Sequence, residues 1–386
     1  MKKLLILVVT GGPCGGKSTA LARLSEKMAE RGIPVFIVPE LATDLFSNGI
    51  DGKLFSGNEN LRKILQTNIL HEQLQRQYIR KELAEIQMEH TGAEQGILIC
   101  DRGTLDSEAY CGREMFEQIV SEEKMSIASL REFYDVVYHF VTAAEGAQKY
   151  YTLANNKARR ETPKEARALD QLLRDAWTGH EHLEIIHNRE SGRVLTFRQK
   201  MDKFITSVTN QLAMPPIEAE KKFQLLDKIN VKKLPVSRII QQEIFQIYLH
   251  SDKPNLQRRI RKITPIGQGL AETFYVYAEK EKIPGTAHRP EMQDRISISE
   301  YERLLHQKNP NLAPILKIRH NFVYDFKYWH LDIFIEPEPN LCFIEHEHAI
   351  NSREKITPPS FLGRYVDITS SFSNYDLASG KRPVKK

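Results

Sequence analysis

The decapeptide TGGPCGGKST, residues 10–19, joins the apolar run LLILVV to ALARLSEKMAE, whose apolar residues recur at helical spacing. A glycine-rich turn between a buried strand and a helix predicts a βα unit whose backbone N–H groups converge on phosphate oxygens. The positive end of the helix favours the same charge. In the spacing Gly11-x-x-x-x-Gly16-Lys17-Ser18, Lys17 reaches the β/γ-phosphates of a nucleotide and Ser18 ligates Mg²⁺. The candidate nucleotide-binding residues are Gly11, Gly12, Pro13, Cys14, Gly15, Gly16, Lys17, Ser18 and Thr19, with Cys14 a small filler.

At 386 residues the chain exceeds one ordinary core and suits two domains. A content of 41% hydrophobic and 27% charged residues describes a water-soluble globular protein, and no apolar stretch is long enough to cross a bilayer. MKKLLILVV imitates the start of a secretory leader, but its apolar run ends in the glycine turn rather than at a small-residue cleavage site. Cys14, Cys100, Cys111 and Cys342 lack metal-ligand spacing and fit a reducing compartment. The expected location is the cytoplasm, free or in peripheral contact with a membrane. A net charge of +5 favours anionic partners, and without an aromatic-interleaved basic stripe no nucleic acid is expected.

Residues 1–213 alternate long helical patterns with the short apolar runs LLILVV, PVFIVPE, GILICDRG, DVVYHFVT and LEIIHN, which predicts a parallel sheet with flanking helices. Pro215 and Pro216 end the helical pattern FRQKMDKFITSVTNQL. Residues 217–378 alternate in and out like antiparallel strands, and residues 379–386 form a basic tail.

The C-terminal ends of parallel strands form the ligand edge of such a sheet. Glu40 ends FIVPE, while Asp101 and Arg102 end ILICDRG. Asp101 is placed to orient Mg²⁺, and the candidate catalytic set is Lys17, Glu40, Asp101 and Arg102. Glu40 either accepts a proton from an attacking hydroxyl, with Arg102 close by, or caps the next helix. The arginine-rich segment NNKARRETPKEARALDQLL is either a mobile lid, whose Arg159, Arg160 or Arg167 neutralises phosphate, or a solvated helix.

In the second half, charges recur at alternate positions. Glu218, Glu220 and Lys222 share one face of IEAEKKF; Arg259 and Arg261 flank Ile260; Lys317 and Arg319 flank Ile318; Glu345 and Glu347 flank His346; Asp332 follows YWHL. If the sheet closes, these groups face one lumen, where unpaired like charges cost several kcal/mol each. A polyanion and divalent metals relieve that cost. Lys222, Arg259, Arg261, Arg295, Lys317 and Arg319 are the candidate anion ligands. Glu218, Glu220, Asp332, Glu345 and Glu347 are the candidate ligands for Mg²⁺ or Mn²⁺. Alternation leaves open which of Lys280, Lys282 and Arg295 points inward, and it puts His346 and His348 on the outer face.

TGGPCGGKST, VPELAT, DRGTLDSEAY and the NNKARRE region resemble the P-loop NTPases related to nicotinamide-riboside kinase. The resemblance implies a kinase-like α/β domain that binds ATP or GTP with Mg²⁺ and hydrolyses it or transfers phosphate. The E-x-E-x-K opening, R-x-R, K-x-R, the closing E-x-E and FLGRYVDITSSFSNYDLA are similar to the CYTH family of adenylate cyclases and thiamine triphosphatases. That implies an α+β antiparallel triphosphate-tunnel barrel. Its ligand would be a polyphosphate, a phosphorylated small molecule or a lipid headgroup. Three functions remain open: a P-loop NTPase or kinase coupled to an anion-binding barrel; a GTP-regulated phosphoinositide- or phospholipid-binding trafficking factor; a tunnel triphosphatase or nucleotide cyclase using Glu218, Glu220, Glu345 and Glu347.

Overall fold

The computed structural model describes residues 3–151, 161–190, 192–213, 219–253, 255–267, 272–281, 291–348 and 355–383. Its contacts divide the chain into two units, Met1–Val208 and Thr209–Lys386.

In the first unit, β1 (Lys3–Thr10), β2 (Val35–Val38), β3 (Gln95–Asp101), β4 (Val136–Phe140) and β5 (Leu183–Ile186) form a parallel sheet in the order β2-β3-β1-β4-β5. Each strand coincides with one of the apolar runs read from the sequence. Leu5, Leu7, Val8 and Val9 of β1 are at most 1% exposed, because a strand central in such a sheet is covered on both faces. The helices are α1 (Lys17–Ala29), α2 (Leu41–Ser47), α3 (Gly52–Ser56), α4 (Glu59–Thr91), α5 (Asp106–Cys111), α6 (Arg113–Glu122), α7 (Ile127–Arg131), α8 (Pro163–Trp177) and α9 (Phe197–Leu212). Two short strands, β6 (Arg189–Glu190) and β7 (Arg193–Val194), make a small ladder before α9.

The lid reading needs correction over its described part. Thr162 and Glu165 close a capping box at the start of α8, and Ala166, Asp170, Leu173, Ala176 and Trp177 are buried along it. Their spacing gathers them on one face, so α8 is a packed helix rather than a mobile cover. Arg167 donates to Ala144 O at 3.0 Å. Arg159 and Arg160 lie outside the described residues.

The second unit contains β8 (Ala219–Leu225), β9 (Ile239–Leu249), β10 (Leu256–Ile266), β11 (Phe274–Glu281), β12 (Glu291–Ile296), β13 (Ile315–Tyr324), β14 (Lys327–Glu336), β15 (Cys342–His348) and β16 (Tyr365–Asp367), with α10 (Ile298–Leu305) and α11 (Asn374–Ala378). All nine strands join one antiparallel sheet in the order β12-β11-β10-β9-β13-β14-β15-β8-β16. The antiparallel expectation stands. β8 spends one edge on β15 and the other on β16, so no ladder among the described residues joins β12 to the far end. The sheet nevertheless curls: Glu220 of β8, Gln257 of β10 and Lys280 of β11 line one cavity of about 240 Å³ together with the segment from Thr369 to Ser371. Phe223, Trp329, Leu331 and Ile344 form an apolar cluster on its outer face.

Candidate phosphate-binding sites

Between β1 and α1 the chain takes conformations open only to glycine. Gly11 has φ +127°, and a Cβ there would lie 2.0 Å from Phe140 O; Gly16, at φ +95°, is the left-handed N-cap of α1. Lys17 is buried, its Nζ donating to Gly11 O at 2.9 Å and Gly12 O at 3.1 Å. The next three carbonyls are all held from β4's end and α9. Pro13 O accepts Thr142 Oγ1 at 2.5 Å, Cys14 O accepts Ala143 N at 3.3 Å, and Gly15 O accepts Lys200 Nζ at 2.9 Å. Across a trans peptide the N–H points opposite to the preceding C=O. The N–H groups of Cys14, Gly15 and Gly16 therefore turn away from those anchors, making an anion-binding concavity at the start of α1. Ser18 and Thr19 are exposed on its first turn.

β3 runs directly beside β1, with Val9 opposite Asp101. Burial pushes the Asp101 carboxyl above its usual range, with Lys17 and Arg102 opposing and Glu40 and Asp106 adding to the rise. Its buried Oδ1 accepts no hydrogen bond among the described residues. An orphaned carboxylate oxygen near the loop is the donor type a hard cation takes, so Asp101 and the Ser18 hydroxyl fit Mg²⁺.

Glu40 stands at the N-cap position of α2, but its side chain makes no capping bond. Instead Arg102 Nε donates to Oε1 at 3.1 Å and Thr43 Oγ1 donates to Oε2 at 2.6 Å. Burial opposes ionisation, yet Arg102, Thr43 and Lys17 outweigh it and hold the carboxyl below its ordinary value. The capping alternative is thereby set aside. Arg102 also donates to Gly11 O at 2.9 Å, tying Glu40 to the loop.

Sequence reasoning missed three supports of this edge. Asp106 accepts Thr10 Oγ1 at 2.8 Å and Trp177 Nε1 at 2.6 Å. Asp170 Oδ1 accepts the N–H groups of Gly12 and Thr142, both at 2.9 Å. Burial opposes its charge, but His139, Arg174 and the Gly12 amide bring its pKa to about 2. Lys200 is the third. Asp170 and Lys200 each occupy a position that the helical period reserves for an apolar residue, and that mismatch was the available signal.

In the second unit the register sets the charged face. Lys222 lies opposite Glu345, Glu220 opposite Glu347, Arg319 opposite Asp332, and Arg261 opposite Gln246 and Val276. Arg295 is also opposite Val276, and Lys280 is opposite both Gln257 and Glu291, so Lys280 and Arg295 both belong to the inner face with Arg259 and Lys317. His346 pairs with Lys221 on the outer side, its Nδ1 2.8 Å from Tyr328 O. Glu218 and Lys282 lie outside the described residues.

The bases are met by acids of the same face. Lys222 Nζ is 2.6 Å from Glu345 Oε1, and Lys317 Nζ is 2.5 Å from Asp332 Oδ2. Arg319 grips both Asp332 oxygens at 2.8 and 2.9 Å and reaches Glu345 at 3.2 Å. Glu291, which the sequence reading did not single out, pairs with Arg259 and, at 2.9 Å, with Lys280; Gln293 accepts from Arg261. Burial disfavours the Asp332 charge, but Arg319 and Lys317 hold its carboxyl well below the usual range; burial likewise lowers Lys317 to about 8 against the pull of Asp332. Asp332 and Glu345, two of the expected metal ligands, thus have their oxygens paired with buried cations. Glu220 is exposed and makes no ion pair among the described residues, where no three acids, histidines or cysteines converge as a metal-ligand set.

A family model described as an AAA domain matches residues 6–193, which take in β2 to β5, most of β1 and its phosphate loop. No curated protein matches the chain. Among solved structures, the chain is similar to the inorganic triphosphatase NE1496 at 20% identity, over 42% of this chain and 94% of that one, with a TM-score of 0.29. For the PH1819 protein of Pyrococcus horikoshii OT3 the figures are 19%, 35%, 80% and 0.28. For HpAC1 of Hippeastrum, described as having a dominant triphosphatase activity, they are 13%, 34%, 80% and 0.26.

Proposed function

We propose that residues 1–213 bind ATP or GTP with Mg²⁺ and hydrolyse it or pass its γ-phosphoryl group to a small acceptor. Residues 217–378 would hold a polyphosphate or a phosphorylated anionic ligand on the inner strand face. The observation that supports the nucleotide reading most is the loop geometry, with the carbonyls of Pro13, Cys14 and Gly15 all held by Thr142, Ala143 and Lys200 and with Lys17 buried against the loop. The AAA-domain match over residues 6–193 supports the same reading.

In this reading the loop amides and Lys17 bind the β/γ-phosphates, and Ser18 and Asp101 hold the metal. Mg²⁺ bound there supplies neutralising charge to those phosphates. Arg102 keeps Glu40 ionised and fixed relative to the loop. Glu40 then accepts the hydrogen bond of an attacking hydroxyl.

A second reading makes the chain a nucleotide-regulated binding protein. The order of its two modules resembles that of the TRPL translocation defect protein, a GTP- and phospholipid-binding trafficking factor. The observation favouring it is the inner face of the second unit, where Lys222, Arg259, Lys317 and Arg319 are matched by internal acids, an arrangement suited to exchanging counter-ions for a bound anion.

The test is binding and turnover of ATP and GTP by the full chain, with and without Mg²⁺, alongside a screen of small hydroxyl acceptors. Lys17→Ala should weaken binding about 100-fold or more, since it removes the cation at the phosphates. A folded Lys17→Ala protein with unchanged affinity and turnover would overturn the nucleotide reading. Binding without turnover or transfer favours the second reading, and tripolyphosphate and soluble inositol phosphates then separate its ligand classes.

A further inference from the structure

Lys200 lies on α9 among Met201, Phe204 and Val208, all fully buried, and is itself only 4% exposed. Its Nζ donates to Gly15 O at 2.9 Å, Val141 O at 2.8 Å and Asn188 Oδ1 at 2.7 Å, and lies 5.6 Å from the centre of the Phe140 ring. Three ammonium protons thus meet three acceptors. Of the carbonyls held back from the concave side of the loop, that of Pro13 is held by a hydroxyl and that of Cys14 by a backbone amide. Gly15 alone of the three is held by a group that changes charge near neutral pH.

We propose that Lys200 is a positioning residue for nucleotide binding: by fixing the Gly15 carbonyl it aims the Gly16 N–H at the phosphate, and its deprotonation releases that peptide. The inference rests on the nucleotide reading above. A neutral amine offers two protons and a lone pair to three oxygens, so one oxygen is repelled. Burial brings Lys200 down to about 7; Asp170 of α8 opposes that shift and Lys17 of the loop adds to it. Burial lowers His139 of β4, which is 3.2 Å from Asp170, and Asp170 itself sits at about 2; Arg174 of α8 lies 3.6 Å from Asp170. An arriving phosphate favours the protonated amine, so by linkage affinity is highest below neutrality and falls as the pH rises.

The experiment measures the affinity of fluorescent ADP and GDP for the full chain without metal between pH 6 and pH 9, with Lys17→Ala as the baseline. The native protein should lose about ten-fold in affinity across that range. Lys200→Met should bind about ten-fold more weakly at pH 6 and show no further fall, as expected for losing a charge-assisted donor. Lys200→Arg, charged throughout, should not lose affinity with pH. Ionisation of the ligand's own phosphate is common to all three proteins. A flat native profile, or a Lys200→Met profile parallel to the native one, overturns this inference alone. The native profile decides even if a variant fails to fold. A native protein that binds neither nucleotide overturns the nucleotide reading, and this inference with it.

Discussion

Asp332→Asn should move the stability and the anion affinity of the second unit in opposite directions. Asp332 is fully buried, accepts Lys317 at 2.5 Å and takes both arms of the Arg319 contact at 2.8 and 2.9 Å. Removing one partner of such a buried group leaves Lys317 without its carboxylate and Arg319 with Glu345 alone, at a cost of about 3–5 kcal/mol. At about 3 °C per kcal/mol for a unit of this size, the melting temperature falls by about 10 °C. The folded pKa of Asp332 lies below its unfolded value, so its contribution is fully present above about pH 4 and is lost as the pH falls further. The variant should lack that share of the acid sensitivity. Metal-free tripolyphosphate should bind about ten-fold more tightly, because repulsion by the carboxylate is gone while both bases remain. Calorimetric titration at pH 5 keeps Lys317 protonated in the native chain, where its pKa is about 8, and leaves room for the further fall that loss of the Asp332 charge brings. Scanning calorimetry gives the stability, and hydrogen exchange at β13 and β14 assigns the transition to this unit. An unchanged melting temperature, or weaker metal-free anion binding, would refute the counter-ion role.

Glu40→Gln should lower phosphoryl transfer about 100-fold while changing nucleotide affinity little, measured by steady-state turnover beside equilibrium binding. Because Arg102 holds the Glu40 pKa below its ordinary value, the acidic limb of native activity should lie below about pH 4.3. Asp170→Asn should cost about 2–3 kcal/mol at pH 7, from the difference between a folded pKa of about 2 and an unfolded one of about 3.9. That contribution is present above about pH 4 and disappears as the pH falls towards 2, and denaturation followed through buried Trp177 reads it. Arg259→Ala with Arg261→Ala should weaken tripolyphosphate binding about ten-fold or more, whereas Glu291→Gln should strengthen it, by calorimetric titration of both proteins.

The five strands of the first unit were legible because each is a short continuous apolar run, and the glycine turn marks which of them carries the loop. Glu40, Asp101 and Arg102 followed from their places at strand ends. Asp170 and Lys200 were not singled out: each breaks the apolar period of its helix, which signals a buried charge, but only the packed structure shows what each one faces. In the second unit, alternation was enough to put Lys222, Arg259, Lys317, Arg319, Asp332 and Glu345 on one face. It could not supply the neighbour across the ladder, which depends on register. Nor could it foresee that three residues of β16 would take the free edge of β8.

Register carries the larger consequence. By setting Lys222 opposite Glu345 and Arg319 opposite Asp332, it lets acids of the inner face neutralise several of its buried bases. Those pairs relieve the cost of burying like charges before any ligand arrives. An anion must therefore compete with acids built into the same strands. Each carboxylate that stabilises the sheet weakens the ligand, so substitutions on this face should trade one quantity against the other rather than lower both.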